Sequence, residues 1–120
     1  MPKTPSSYSI GLWHELHAIK LLESNGYKLI QHNYLGKVAQ VDLVMRSKRY
    51  LAFIEVKKTS PNFKQSTLKR FLHQQKNRIL GELFLFHNSE IRFKNHKPVL
   101  ILLIFAKNPQ PDLYLYYLTP

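Results

Sequence analysis

Acidic residues are scarce in this chain, seven against eighteen Lys and Arg, so where they sit is informative. Glu55 lies in Leu51-Ala52-Phe53-Ile54-Glu55-Val56-Lys57, among almost wholly apolar neighbours. Read as a strand, this run puts Glu55 and Lys57 on one face and Ile54 and Val56 on the other. A carboxylate and an ammonium side by side at a strand end can bind a divalent cation and contact a phosphate. For a lone Glu-x-Lys, a solvated edge with a weak ion pair is the plainer reading. Asp42 changes that balance, because Val41-Asp42-Leu43-Val44 again sets one acid among apolar residues, in the strand expected to pair with the first. If paired residue numbers add to an odd total, Asp42 and Glu55 share a face, roughly 5 Å apart at Cβ when directly opposed. An even total would separate them. Glu15 is the third acid. On a helical wheel it falls between Ile19 and Leu22, inside the apolar stripe, with His14, His17 and Ser24 on the wet side. A carboxylate aimed at the sheet needs a partner, and a structural salt bridge to a lysine is the alternative to a site.

Two carboxylates about 5 Å apart repel by roughly 3 kcal/mol at an effective dielectric of 20, a large share of a small domain's stability. A cation between them would offset this. Mg²⁺ or Mn²⁺ is the natural one, held by Asp42, Glu55 and Glu15, since these hard ions prefer carboxylate oxygens and keep waters available. Such a metal polarises a phosphate and acidifies water, while Lys57 could orient that water or stabilise developing charge. Gln75, between Leu72 and Ile79 on an inner helix face, either reaches the site or makes a structural hydrogen bond. Lys58, Lys64, Lys69, Arg70, Lys76 and Arg78 read as phosphate-positioning charges. His14-Glu15-Leu16-His17 fails as a zinc-protease helix, because that motif needs its second histidine where Ala18 stands. The sequence has no Gly-rich phosphate loop, no G-x-S-x-G elbow and no cysteine.

Positioning these residues requires a helix over 9–25, with Ser7 or Ser9 as cap and Asn25-Gly26 as stop. Its apolar stripe is Leu12, Leu16, Ile19 and Leu22. Strands are predicted over 27–33, 38–46 and 50–57, the last two as an antiparallel hairpin joined by Ser47-Lys48-Arg49. A second helix starts at Ser66 or Thr67, carries Leu68, Phe71, Leu72 and Ile79 inward, and stops near His87-Asn88-Ser89. Val99 to Ala106 reads as a strand buried on both faces, Pro109 and Pro111 as a turn, and 113–118 as a final strand. A right-handed crossover makes 50–57 and 99–106 parallel neighbours, and Asp42, Glu55 and Lys57 are expected to face the first helix with Glu15 reaching toward them. The fold class is therefore α/β, a mixed sheet flanked by helices, with residues 1–8 as a flexible lead-in and 9–120 as one domain.

At 120 residues and 44% hydrophobic, the chain can bury one core and fold alone or as a modest homodimer. The formal charge of +11 attracts polyanions, and nucleic acid is the expected partner, with a ribosome-associated or anionic-membrane surface, or solubility alone, as the alternatives. The lack of cysteine fits a reducing, cytoplasmic setting. The longest apolar run falls far short of the ~20 residues that span a bilayer, so no membrane role is expected.

In order along the chain, Gly11-x-x-x-Glu15-x-x-Ala18, Asn25-Gly26-Tyr27, His32-Asn33, Val41-Asp42-Leu43 and Phe53-Ile54-Glu55-Val56-Lys57 resemble the PD-(D/E)XK, or restriction-endonuclease-like, superfamily. Within it the likeness is to the YraN-like family of small predicted endonucleases, relatives of the archaeal Holliday-junction resolvases. The resemblance covers Gly11 to about Phe86. It implies an α-β-β-β-α-β core, here with an extra C-terminal strand, and a metal held by Asp42 and Glu55. Glu15 would complete the acidic set and Lys57 would be catalytic. The implied activity is metal-dependent hydrolysis of DNA phosphodiesters, with branched or repair intermediates among the substrates. A non-catalytic nucleic-acid-binding module on the same fold is the alternative. Two departures stand out: Ala39-Gln40 replaces the family's Gly-Glu, and Thr59 replaces an Arg two residues after the lysine. Loss of the first carboxylate would weaken metal binding.

Overall fold

The computed structural model describes residues 7–106 and 110–118, with side chains from residue 12 onward. Helix α1 spans Ser7–Glu23, two residues earlier at each end than its sequence pattern suggests, so residues 7 and 8 of the expected lead-in are helical. Gly26 ends it as expected: its φ of 90° is open to glycine, and the Tyr27 amide donates back to the Leu22 carbonyl at 3.0 Å. Strands β1 (Lys28–Leu35), β2 (Gln40–Arg46) and β3 (Tyr50–Lys58) follow, leaving Val38 and Ala39 in the β1–β2 turn. A short 3₁₀ turn at Pro61–Phe63 then leads into α2 (Lys64–Gln74).

The expected second helix is two helices. It breaks at Gln75, whose backbone leaves the helical region, and resumes as α3 (Lys76–Ser89). Neither proline nor glycine marks the break; Gly81 lies inside α3 without interrupting it. The two pieces set Phe71 on one side and Ile79, Leu83 and Phe86 on the other against the same sheet face. Leu72, expected inside, is exposed. Strand β4 (Lys97–Phe105) and the C-terminal β5 (Asp112–Tyr117) complete the chain; Pro109 lies outside the described residues.

The five strands form one mixed sheet in the order β1-β2-β3-β4-β5, with β3 and β4 parallel and the other pairs antiparallel. Strands β3 and β4 are central and apolar on both faces, as a covered parallel pair requires. On one face α1 packs Ala18, Ile19 and Leu22 against Leu43, Met45, Ala52, Ile54, Ile101 and Phe105. On the other, α2 and α3 cover Val41, Val44, Leu51, Phe53, Leu100, Leu102 and Ile104. The stripe on α1 is rotated from its sequence reading. Leu16 is half exposed, while His14 and His17, expected on the wet side, pack their rings against Phe105 at centroid distances of 5.1 and 5.7 Å.

Candidate active site

The β2–β3 ladder pairs Leu43 with Ile54 and Val44 with Phe53, an odd total of 97, and one further step sets Asp42 opposite Glu55. The backbone ladder stops there because the two carboxylates take over its hydrogen bonds. The Asp42 amide donates to Glu55 Oε1 at 3.0 Å, and the Val56 amide donates to Asp42 Oδ2 at 2.8 Å. Each acid therefore caps the opposing strand as the pair opens. Lys57 Nζ lies 3.4 Å from Glu55 Oε2, and both side chains are largely withdrawn from solvent.

The acids reach this point from different sides of the sheet. In the parallel ladder Glu55 is level with Leu102 and Lys57 with Ile104, both in the layer beneath α2 and α3. Their neighbours Ile54 and Val56 pack on the α1 side. Glu55 and Lys57 thus face away from α1, contrary to the expectation that they look, with Asp42, toward the first helix. Asp42 makes the link. Val41 and Val44 share a face although three apart, so alternation in β2 is broken between them. The break lies across from Asn33, which adopts a left-handed φ of 57°. Here Asp42 interacts with Glu55 and Lys57 on one side and with Glu15 and His32 on the other. Glu15 Oε1 lies 3.5 Å from His32 Nε2, a buried nitrogen without a hydrogen bond of good geometry. His32 is a member of the cluster that sequence reasoning noted only as part of a motif; its position in β1 beside Leu43 brings it in.

Burial raises the proton affinity of all three carboxyls. Glu55 is pushed up to about 7 by desolvation, with Asp42 adding and Lys57 opposing. Asp42 is raised by desolvation, which the Val56 amide, Lys57 and His32 oppose. Glu15 is raised by desolvation and then by Asp42, with His32 opposing. Such a set favours anything that adds positive charge. Among the described residues no three His, Asp or Glu side chains converge closely enough to enclose a metal ion. The donor chemistry still fits Mg²⁺, which is commonly held by one or two carboxylates and completes its shell with water and phosphate oxygens. Asp42 and Glu55 are the pair that could take that role.

The basic residues divide. Lys58, Lys69, Arg70 and Arg78 are exposed. Lys64 is paired with Asp112 of β5 at 2.7 Å, and the Lys76 ammonium sits 5.0 Å above the Tyr116 ring. Gln75 and Arg78 line an open cleft of about 420 Å³ against the β1–β2 turn, opposite Lys37 and Gln40. A smaller depression shares Leu35 and Gln40 with that cleft and extends to Asp42.

That turn is held by an acid that sequence reasoning overlooked. Glu82 of α3 is 3% exposed, and its Oε1 accepts from the Val38 and Ala39 amides at 2.8 and 3.3 Å. Tyr34 Oη lies 3.5 Å from Oε2, and burial followed by the Glu82 charge raises the Tyr34 pKa. The carboxylate rests on Gly36 where a Cβ would be, so a larger residue in the turn would have to displace Glu82. The signal was present: Glu82 shares the buried stripe of Ile79, Leu83 and Phe86.

Compared with known proteins, residues 14–95 match the profile described as uncharacterised protein family UPF0102. A UPF0102 protein of Caldanaerobacter subterraneus is 28% identical over 90% of this chain and 88% of its own length. One from Roseobacter denitrificans is 38% identical over 66% of this chain and 61% of its own. One from Campylobacter hominis is 36% identical over 47% of this chain, a stretch that spans half of that relative. The solved structure described as the crystal structure of SSO0001 overlays 92% of this chain and 52% of its own at 17% identity, with a TM-score of 0.42.

Proposed function

The chain belongs to the uncharacterised protein family UPF0102, and from the acid cluster around Asp42 we propose that it is a divalent-metal-dependent nuclease hydrolysing DNA phosphodiesters. The observation that carries this reading is the pair Asp42 and Glu55, set opposite each other beside Lys57 where β2 and β3 part, with the charge of Asp42 felt at Glu15 on the α1 side. The restriction-endonuclease-like likeness of the motifs agrees with it, and so does the sheet, whose β3 and β4 run parallel after a helical crossover. Asp42 and Glu55 would hold Mg²⁺ or Mn²⁺, which when bound polarises a phosphate and makes water a better nucleophile. Lys57 places a positive charge within 3.4 Å of Glu55, where it can stabilise charge developing on the phosphate. Glu15, leaning on His32, keeps a carboxylate on the other side of Asp42 and can take the proton released by attacking water. DNA is the proposed partner, met in the cytoplasm through the exposed Lys58, Lys69, Arg70 and Arg78. No helix among the described residues is long and apolar enough to cross a membrane.

The test is cleavage of linear, single-stranded and branched DNA with Mg²⁺ or Mn²⁺ against chelator. Asp42→Asn and Glu55→Gln should each lose most of the activity while still binding DNA. Retention of wild-type activity in both would place the reaction elsewhere. A second reading, a binding module without turnover, is favoured by one feature: Asp42 Oδ2 and Glu55 Oε1 are already engaged by backbone amides, and Gln40 stands exposed where a further carboxylate is expected. DNA binding without cleavage under every one of those conditions would select it.

A further inference from the structure

We propose that the outer face of α1 is a stacking platform for unpaired nucleobases, with Trp13 as the exposed plate; this rests on the nucleic-acid reading above and narrows it to substrates with single-stranded segments. Trp13 is 54% exposed, yet it is not a loose surface ring. It stacks on His17 at 5.2 Å with an interplanar angle of 15°, and its edge meets His14 at 4.8 Å. Both histidines brace in turn against Phe105, which is buried in the α1 layer. A column of rings thus runs from the core to the surface and ends in an indole face open to solvent. Ordering that indole beforehand lowers the entropy a stacking partner must give up.

The surroundings select the occupant. Trp13, His17 and Lys20 follow at i, i+4 and i+7, so one helical face carries a plate and then an exposed cation. Exposed Lys58 is level with Phe105, the base of the column, in the β3–β4 ladder and adjacent to Lys57. Aromatic plates flanked by cations are how single-stranded nucleic acid is bound without sequence readout, bases on the rings and phosphates on the charges. In a continuous duplex the bases are already stacked on one another and present no free face. An apolar partner or a second copy would also cover Trp13 and half-exposed Leu16, but a copy of a chain with charge +11 brings like charge to this face.

Trp13 is the sole tryptophan, so its emission reports on this face alone. Glu55→Gln protein in chelator, which removes cleavage from the measurement, is titrated with an oligo-dT strand and with a duplex of mixed sequence. The strand should quench the emission and the duplex should not. By anisotropy of labelled DNA, Trp13→Ala should weaken strand binding about tenfold and leave duplex binding within about twofold, while Trp13→Phe keeps most of the strand affinity. Equal quenching by both DNAs, or equal affinities in wild type and Trp13→Ala, would overturn the platform and leave the nuclease reading standing. Absence of binding to any DNA would remove both. A blue shift that grows with protein concentration without DNA, together with a dimer in sedimentation, would give the face to a second copy instead.

Discussion

At Glu55 the proposed chemistry and the stability of this protein meet. Its carboxyl is pushed up to about 7, mainly by burial, from an ordinary value of 4.5. The folded state therefore binds this proton more tightly than the unfolded chain. The associated stability is complete below about pH 4.5, declines as pH rises toward 7, and is absent above it. Glu55→Gln, whose amide oxygen can still accept from the Asp42 amide, should flatten that decline. In chelator the variant should be more stable than wild type at pH 8 by an amount on the order of 2 kcal/mol, with the advantage gone at pH 4. Urea denaturation at the two pH values reads this directly, and identical wild-type and variant profiles would show that Glu55 ionises freely. Millimolar Mg²⁺ should raise wild-type stability more at pH 8 than at pH 5 and have little effect on Glu55→Gln, because a native-state ligand stabilises by mass action. Lys57→Ala belongs to the same scale. Its ammonium opposes the Glu55 shift without holding an ion, so the variant should slow cleavage by 10²-fold or more while the Mg²⁺ midpoint moves little. A large rise in the Mg²⁺ requirement at unchanged maximal rate would argue against the assigned role.

At the scale of elements, the β1–β2 turn is the part most dependent on a single contact. Glu82 supplies acceptors to two of its amides from a helix on the other side of the cleft. Glu82→Ala would leave the Val38 and Ala39 amides without their acceptor and should cost about 1–3 kcal/mol. Gly36→Ala should cost a similar amount, since the added methyl meets a carboxylate that is buried and tied by hydrogen bonds, and so not free to swing away. If the clash is with Glu82, the double variant should lose clearly less than the two single losses combined. Additive losses would show that the added methyl does not act through Glu82. The turn runs into Gln40 and then Asp42, so Glu82→Gln, which keeps an acceptor, should retain both fold and activity better than Glu82→Ala.

For the whole molecule, the proposed DNA binding should, at a charge of +11, weaken steeply with salt, with a log–log slope of about 0.9 for each phosphate neutralised. The basic residues of α2 should not contribute alike. Lys69 and Arg70 are exposed, whereas Lys64 is committed to Asp112. Lys69→Gln and Arg70→Gln should each weaken binding and reduce the slope by about one, and Lys64→Gln should leave both nearly unchanged. Equal effects from all three would mean that the Lys64–Asp112 pair opens on DNA. Binding indifferent to salt would remove phosphate recognition from the account.

The sequence by itself misplaced Leu16 and Leu72, which are exposed, but it determined most of the strand core, the β2–β3 hairpin and the parallel β3–β4 pair, and it narrowed the register to the odd totals under which Asp42 and Glu55 could share a site. These follow from local rules: period 2 in strands, period 3.6 in helices, and the intolerance of an apolar strand for an unpaired acid. It also singled out Glu15, whose place on the buried side of α1 was visible on the wheel. What it left open was sidedness. Strand β3 is apolar on both faces, so alternation relates Glu55 to Phe53 without saying which helix either will meet; only the packing of α1 against Ile54 and Val56 decided that. The approach of Asp42 to Glu15 goes with a break in β2 alternation across from the left-handed Asn33, which no hydrophobic pattern encodes. Nor could pattern reveal the task of Glu82. Its partners are backbone amides of a turn 44 and 43 residues away, and a backbone amide has no residue type to read. Side-chain chemistry is written in the sequence, but the backbone groups that a buried acid will satisfy exist as a site only after the chain has brought them together.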